Sequence, residues 1–368
     1  MSRRKCVFIS AHLPSPTMPV AGQRLAYRNL QQLCSIYDVV LIAFINKFEN
    51  QYFDESLYDI CYRKHFFYVS NINRVVSFLL NPMQPSRVSP RLRKGVKVLL
   101  DKYINQEDIS VFHAECTAAM SYIDQFPKNV RSEVVEQDVV YQSLERYCKN
   151  KEFPINLFFC FEAKKQKRWE LKKLRLFNEV IVLNEKDKEL LVNENIKNIK
   201  VSLPILEEWV YKIDRPVHRT MTMSLLFYGA MQRFENQDAA MWFVKEIMPI
   251  ILKRNPMVKL YIVGGHPPKN IQSLSSSNVV VTGYVASLKS YFEKVDVAIV
   301  PLRYGAGIKT KTLETLGAKI PTVSTNIGAE GVPDSPLLTI TDSVDVFAES
   351  VLKLLESGQN TIDGVANQ

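Results

Sequence analysis

Residues 297–323 read VAIVPLRYGAGIKTKTLETLGAKIPTV, and the order of residue types in this stretch decides the fold. Val297–Val300 is a short, wholly apolar, β-branched run of the kind that forms a buried strand, predicted here over Val295–Pro301. A loop with Gly305 and Gly307 follows, then a helical pattern over Thr310–Leu316 and a second strand over Ile320–Ser324. Strand, glycine loop, helix and strand make a parallel βαβ unit. Lys309 and Lys311 stand at the helix start, where the helix dipole prefers acidic side chains. An anion repairs that mismatch, because glycines let backbone N–H groups approach it and the helix N-terminus attracts it. The loop therefore reads as a diphosphate site. It is not a Walker loop, since GxxxxGK[ST] is absent. Glu314, one turn further on, is placed to accept hydrogen bonds from ribose hydroxyls.

Working outward, strands are predicted at Ser224–Tyr228, Lys259–Val263 and Val279–Thr282, with helices at Gln237–Lys253 and Val344–Leu355. The first half repeats the alternation: strands at Cys6–Ser10, Val39–Phe44, Ile109–His113, Val130–Val135 and Val180–Leu183, and helices at Arg24–Ile36, Pro90–Ile104 and Leu157–Leu176. With 368 residues, the chain is long enough for two α/β domains. The boundary is expected between Pro204 and Met221, a segment without a clean period. Two Rossmann-like domains joined in this way are expected to face one another across a cleft lined by the carboxyl ends of their strands.

At these residues the chain resembles the donor-binding domain of family 4 glycosyltransferases, retaining enzymes of the GT-B fold. The resemblance runs from Leu225 to Val332 through LLFYGAM, MWFVKEIMPIILKRNP, LYIVGG and VVVTGYV, and ends with YFEKVDVAIVPLRYGAGIKTKTLETLGAKIPTVSTNIGAEGV. It implies a GT-B α/β fold with an acceptor-binding domain at 1–205 and a nucleotide-sugar donor-binding domain at 206–368. It further implies that Lys309 or Lys311 binds the donor diphosphate and that Glu314 binds the ribose. Gly305, Ala306 and Gly307 would lie against the phosphates, with Ile308 and Thr310 completing the loop. Gly229 and Arg233 would face the donor after the first strand of the domain, and Gly283 and Tyr284 would lie near the nucleoside base. Many family members carry two glutamates eight positions apart; here Ala306 stands at the first of these positions and Glu314 at the second. In the first half, VFISAHLPSPTMPVAGQRLAYRNLQQL resembles the opening strand, loop and helix of these enzymes, which puts Gly22 and Arg24 near the donor. ISVFHAECTAAM makes His113 and Glu115 candidates at the reaction centre beside Lys309, and VVEQDVVYQSLERY places Glu136 and Asp138 on the acceptor side. The resemblance implies no obligatory metal and no cofactor beyond the nucleotide-sugar substrate, with a glycan or lipid-linked acceptor.

Composition sets limits on this reading. Residues 1–215 hold 33 Lys and Arg against 25 Asp and Glu, whereas 216–368 hold 14 against 13, so the basic excess sits in the first half. It implies an anionic partner there: nucleic acid, a phosphorylated substrate or an anionic membrane surface. No recognised nucleic-acid motif accompanies it. Two basic segments, Lys164–Arg175 and Arg87–Lys102, are candidates to lie on lipid headgroups, the alternative being solvated helix faces. No apolar run is long enough to cross a bilayer. The run Cys6–Ile9 is too short for a signal-peptide core, so a cytoplasmic protein, peripheral on the inner membrane face, is expected. Six scattered cysteines, Cys6, Cys34, Cys61, Cys116, Cys148 and Cys160, read as reduced, packed thiols. Five histidines without an HExxH motif give no transition-metal site. Three other functions are consistent with the same residues: a nucleotide-sugar epimerase of the same fold, a nucleic-acid-binding protein, and an inactive relative that binds a partner.

Overall fold

The computed structural model describes residues 3–150, 154–204, 206–215, 222–305 and 307–363. The chain forms two compact units, Met1–Pro204 and Ile205–Gln368. In the first, β1 (Lys5–Ser10), α1 (Ala21–Ile36), β2 (Asp38–Asn46), β3 (Arg63–Val69), α2 (Asn71–Leu80) and α3 (Lys94–Gln106) precede the second half of the sheet. That half comprises β4 (Ile109–Glu115), β5 (Arg131–Glu136), α4 (Val140–Asn150), α5 (Ile155–Leu174), β6 (Glu179–Val182), α6 (Glu185–Asn193) and β7 (Ile199–Val201). The sheet order is β3-β2-β1-β4-β5-β6-β7, and every pair is parallel. The inner strands are covered on both faces, which is why β2 carries the unbroken apolar run Val39–Ile45 with every residue buried, whereas the edge strand β3 is only partly covered.

The second unit begins with α7 (Glu208–Tyr211), β8 (Ser224–Tyr228), α8 (Phe234–Trp242) and α9 (Met248–Arg254). It continues with β9 (Lys259–Val263), α10 (Lys269–Gln272), β10 (Val279–Gly283), α11 (Lys289–Lys294) and β11 (Val297–Val300). Its last elements are α12 (Thr310–Gly317), β12 (Thr322–Ser324), β13 (Leu338–Ile340) and α13 (Val344–Asp363). The order is β10-β9-β8-β11-β12-β13, again all parallel. In each sheet the order reverses beside the first strand, between β1 and β4 and between β8 and β11. Sheets of this kind take ligands at the carboxyl ends of the strands flanking such a reversal.

Local chemistry explains where the structure departs from the sequence reading. The single helix expected over Gln237–Lys253 is interrupted by a π-turn at Phe243–Ile247, because Pro249 in the next turn has no N–H to give and its ring crowds the carbonyl four residues earlier. The helix expected from Pro90 starts only at Lys94. Before it, Ser89–Arg91 is one 3₁₀ turn, and the Arg91 guanidinium is turned inward to donate to the Ala11 carbonyl at 2.5 Å. β3 and α2 fill the stretch between Phe44 and Pro90 for which the sequence suggested no element. The cysteine reading is corrected as well: Cys148 and Cys160 form a disulfide, with Cα atoms 4.9 Å apart. α4 and α5 pack against one another, and the disulfide joins two cysteines twelve residues apart across that contact. Cys6 and Cys34 are buried free thiols, and Cys61 and Cys116 are partly exposed ones.

Candidate functional site

The second unit builds its site where β8, β9 and β10 end. Gly229 donates its N–H to Val263 O at 3.0 Å, and Gly264 donates to Gly283 O at 3.1 Å, so three strand ends are laced together by glycine backbone. A Cβ on Gly264 would lie 1.7 Å from the Gly229 carbonyl oxygen. Only glycine permits this crossing. Gly229 itself has φ +157°, and a Cβ there would meet the Lys311 Nζ at 3.0 Å and Asn236 Nδ2 at 2.9 Å. The missing side chain is the space that the Lys311 ammonium occupies.

Lys311 reaches that space from the first turn of α12. Its Nζ donates to Asn236 Oδ1 at 2.7 Å, and Asn236 in turn donates to the Ala230 carbonyl at 2.9 Å. The ammonium also lies 4.7 Å from the centre of the Phe227 ring. Burial pulls its pKa down first, and the nearby cations Arg233 and Lys309 lower it further, to about 7. Near neutral pH this lysine thus stands between charged and uncharged, and a multiply charged anion at the site would restore its proton. Lys309 has a different place. It is the N-cap residue of α12, without a side-chain cap hydrogen bond; its Nζ donates to Gly307 O at 2.5 Å and lies 3.7 Å from Glu330. Gly305 and Gly307 both have positive φ, +135° and +69°, which shapes the loop round the Lys309 stem. Ala306 lies outside the described residues.

Glu314 is buried and accepts a hydrogen bond from the Tyr228 hydroxyl at 2.6 Å, and the same hydroxyl lies 3.0 Å from Lys311 O. Arg233, half exposed, sits at the start of α8 with Glu235 at 3.5 Å. Ile308 in the glycine loop and Thr310, the first residue of α12, are partly exposed. Gly283 has φ +72° with open space where a Cβ would be, and Tyr284 beside it is exposed. The structure therefore brings Gly229, Lys309, Lys311 and Glu314 to one strand edge. It adds Asn236, Tyr228 and Glu330, which the sequence reading did not single out. Of these, Tyr228 and Glu330 stood inside quoted motifs, and Asn236 did not.

In the first unit, β4 ends in a buried polar network. Phe8, His113 and Glu133 are register neighbours on β1, β4 and β5. The His113 ring stacks on Phe8 with centroids 4.6 Å apart. Its Nδ1 donates to Glu133 Oε1 at 2.7 Å, and its Nε2 donates to Glu115 Oε2 at 3.1 Å. Burial alone would lower its pKa, but the two carboxylates outweigh it and hold it at about 9. Glu115, fully buried, also accepts from Asn29 at 2.9 Å and from Gln137 at 2.6 Å. The Gln137 amide reaches on to Gly22 O at 2.9 Å, and a Cβ on Gly22 would lie 2.1 Å from Gln137 Oε1. This arrangement engages both ring nitrogens of His113. Both ring nitrogens are already donating, so the imidazolium has no lone pair with which to take a proton. Arg24 donates to the Met18 carbonyl at 3.0 Å.

Glu136 ends β5 in the interior. It is wholly buried, with Oε1 accepting from the Thr117 hydroxyl at 2.5 Å and no hydrogen-bond partner for Oε2 among the described residues. Burial first, and then the neighbouring Glu170 carboxyl, push its pKa well above the carboxylate range. It is a core residue, whereas Asp138 two residues on is exposed. On the same edge, His12 Nδ1 lies 2.8 Å from Glu49 Oε1, which also accepts from Gln23 at 2.6 Å; no sequence signal pointed to this pair.

Two units of this strand order, each with its ligand edge at the reversal, have the GT-B fold. Residues 222–357 match the family described as Glycosyl transferases group 1. A curated relative from Klebsiella pneumoniae, described as an uncharacterized 44.6 kDa protein in the cps region, is 25% identical over 140 residues. That match covers 35% of this chain and 36% of the relative, so the chain spans about a third of the relative's length. Among solved structures, Anabaena Alr3699/HepE in complex with UDP is similar at a TM-score of 0.64 and 12% identity, over 97% of this chain and 92% of that one. Sucrose-phosphate synthase (tll1590) from Thermosynechococcus elongatus is similar at a TM-score of 0.62 and 14% identity, over 98% and 94% of the two chains. These likenesses concern the fold.

Proposed function

We propose that this protein is a glycosyltransferase that passes a sugar from a nucleotide-sugar donor to a glycan or lipid-linked acceptor, with retention at the anomeric carbon as in family 4. The observation that carries the reading is Lys311, half-buried at the glycine-laced end of β8, where desolvation and the cations Arg233 and Lys309 outweigh Glu314 and Glu235. A site that holds cations together at the cost of deprotonating one of them is built for an anion. The match of residues 222–357 to a glycosyltransferase family and the UDP held by the Anabaena relative support a nucleoside diphosphate as that anion.

In the reaction, the bond between the anomeric carbon and the diphosphate oxygen breaks as the acceptor oxygen bonds to that carbon. The acceptor proton leaves on the departing phosphate. Negative charge grows on the diphosphate, and Lys311, Lys309 and the N–H groups opening α12 stabilise it where water is scarce. Glu314, fixed by Tyr228, accepts from the ribose hydroxyls. In the first unit, His113 positions Glu115 rather than exchanging protons. The pathway we favour is surface-polysaccharide assembly on the cytoplasmic side of the membrane, and the cps-region description of the curated relative supports it.

The test is thermal stabilisation by UDP, GDP, ADP, CMP and dTDP, with Lys311→Ala and Lys309→Ala alongside. A native-state ligand at a hundredfold excess over its Kd adds about 2.7 kcal/mol. One diphosphate should raise the melting temperature, and Lys311→Ala should abolish the rise. No response to any nucleotide would end the transferase reading. An epimeric nucleotide sugar formed without acceptor would replace it with an epimerase.

A further inference from the structure

Helix α2 inverts the usual amphipathic arrangement. Ile72, Val75, Val76, Leu79 and Leu80 recur at the i, i+3, i+4, i+7, i+8 spacing that normally faces a core, yet each is between 45% and 74% exposed. No residue of α2 is buried, although the helix is well formed and closed by a Ser70/Asn73 capping box. The first turns of α5 continue the surface with Ile155, Leu157, Phe158 and Phe161, all exposed. The two helices adjoin. The Phe78 and Phe158 rings lie 6.5 Å apart, and Lys165 Nζ donates to the Pro82 carbonyl at 3.0 Å while lying over the Phe78 and Phe161 rings. A contiguous apolar patch of this kind marks an interaction site.

Charge selects the occupant. From residue 60 to residue 100 the chain carries eight Lys and Arg and no Asp or Glu, and Arg74 and Arg87, which flank the apolar stripe, are exposed. A second copy docking face to face would set these cations against themselves. An anionic bilayer offers negative headgroups to the cations and a shallow apolar layer to the stripe. We infer that α2 and the first turns of α5 form a docking surface for an anionic lipid bilayer.

This assignment moves the contact away from the basic run on α5. There, Lys165, Lys167 and Lys173 are already paired with Glu162, Glu194 and Asp124, and Leu171 and Leu174 face the core. The inference deepens the membrane-side placement proposed above and is independent of the transferase chemistry.

The experiment is co-sedimentation of the full chain with vesicles of equal parts phosphatidylglycerol and phosphatidylcholine, compared with pure phosphatidylcholine. It uses the wild type, the double variant Val75→Glu/Leu79→Glu, and Arg87→Glu. Their side chains are exposed, so melting curves should match the wild type. The wild type should partition about tenfold or more better to the anionic vesicles, and the double variant should lose that gain. Arg87→Glu should weaken binding a few-fold, and salt should weaken the wild type in the same direction. Equal partitioning to both vesicles, or undiminished binding by the double variant, would overturn the inference. So would a concentration-dependent dimer abolished by the double variant without any vesicle binding. If the double variant fails to fold, Arg87→Glu and Leu80→Ser decide the same question. No nucleotide enters the assay, so its failure is separate from failure of the transferase reading.

Discussion

His113 in β4 and Lys311 in α12 are both basic side chains set against the end of a parallel sheet, but their neighbours are opposite in sign. His113 lies between two carboxylates and stays protonated to about pH 9. Lys311 lies near Arg233 and Lys309 and loses its proton near pH 7. The first cluster is internally linked: the hydrogen bonds that join Glu133, His113, Glu115, Gln137 and Gly22 are all made within this unit. In the second cluster, burial and the cations Arg233 and Lys309 outweigh the carboxylates Glu314 and Glu235. A satisfied buried network rigidifies a fold, whereas an electrostatic deficit held open by folding energy marks a place where something else binds. The contrast separates two sets of residues that looked equally functional in the sequence.

The sharpest way to break this contrast is His113→Leu. It leaves Glu115 and Glu133 buried without their shared cation, and breaking a buried pair costs about 3–5 kcal/mol. A large drop in melting temperature is expected, and a variant as stable as the wild type would show that the network is not structural. Next in size is Lys311→Ala, which should lower turnover by about 10²–10³-fold. The unliganded protein should lose no stability, because the substitution relieves a buried cation. Loss of stability instead would put Lys311 in the same structural class as His113.

A third expectation concerns pH, and the two clusters should slope in opposite directions. The His113 contribution is fully present below pH 6.5 and is lost as pH rises to about 9. Glu170, raised by burial to about 8, has the same sign: its contribution fades between pH 4.5 and about 8. For Lys311, the cost of its buried charge is full below about pH 7 and disappears as pH rises towards 10.5. Because a bound diphosphate must restore that proton, nucleotide affinity should fall by up to about tenfold per pH unit above 7. Calorimetric titration at several pH values, with Lys311→Ala as the flat control, checks it. The smallest effect is Gly22→Ala. Its methyl displaces Gln137 from Glu115 and Gly22, at a cost of about 1–3 kcal/mol, read by urea denaturation without change in nucleotide response.

Much of the second unit was legible because its signals are local. Val297–Val300, Gly305, Gly307 and the lysines follow one another within a single βαβ unit, and the glycines are needed where the backbone turns. The exchange between Lys309 and Lys311 was not legible. Two residues apart on a helix start, they differ only in which neighbour each reaches, Gly307 for one and Asn236 for the other. Asn236 is 75 residues from Lys311, and no spacing rule joins them. In the first unit, Glu136 and His113 stand at strand ends, which is where ligands bind. Strand position cannot tell a carboxyl facing solvent from one folded under a helix beside Glu170.

The amino-acid sequence by itself determined two parallel α/β units, the glycine loop and the cationic helix start, because period and residue type act over a few residues. Tertiary structure alone decided which charges are answered and which faces are covered. Its sheets brought Glu133 and Glu115 to His113, and α4 to α5 through Cys148 and Cys160. They also left the apolar stripe of α2 facing outward, although its spacing is that of a core helix. The physical reason is that burial and electrostatic pairing depend on neighbours distant in the chain, and those neighbours are assembled only when the sheets close.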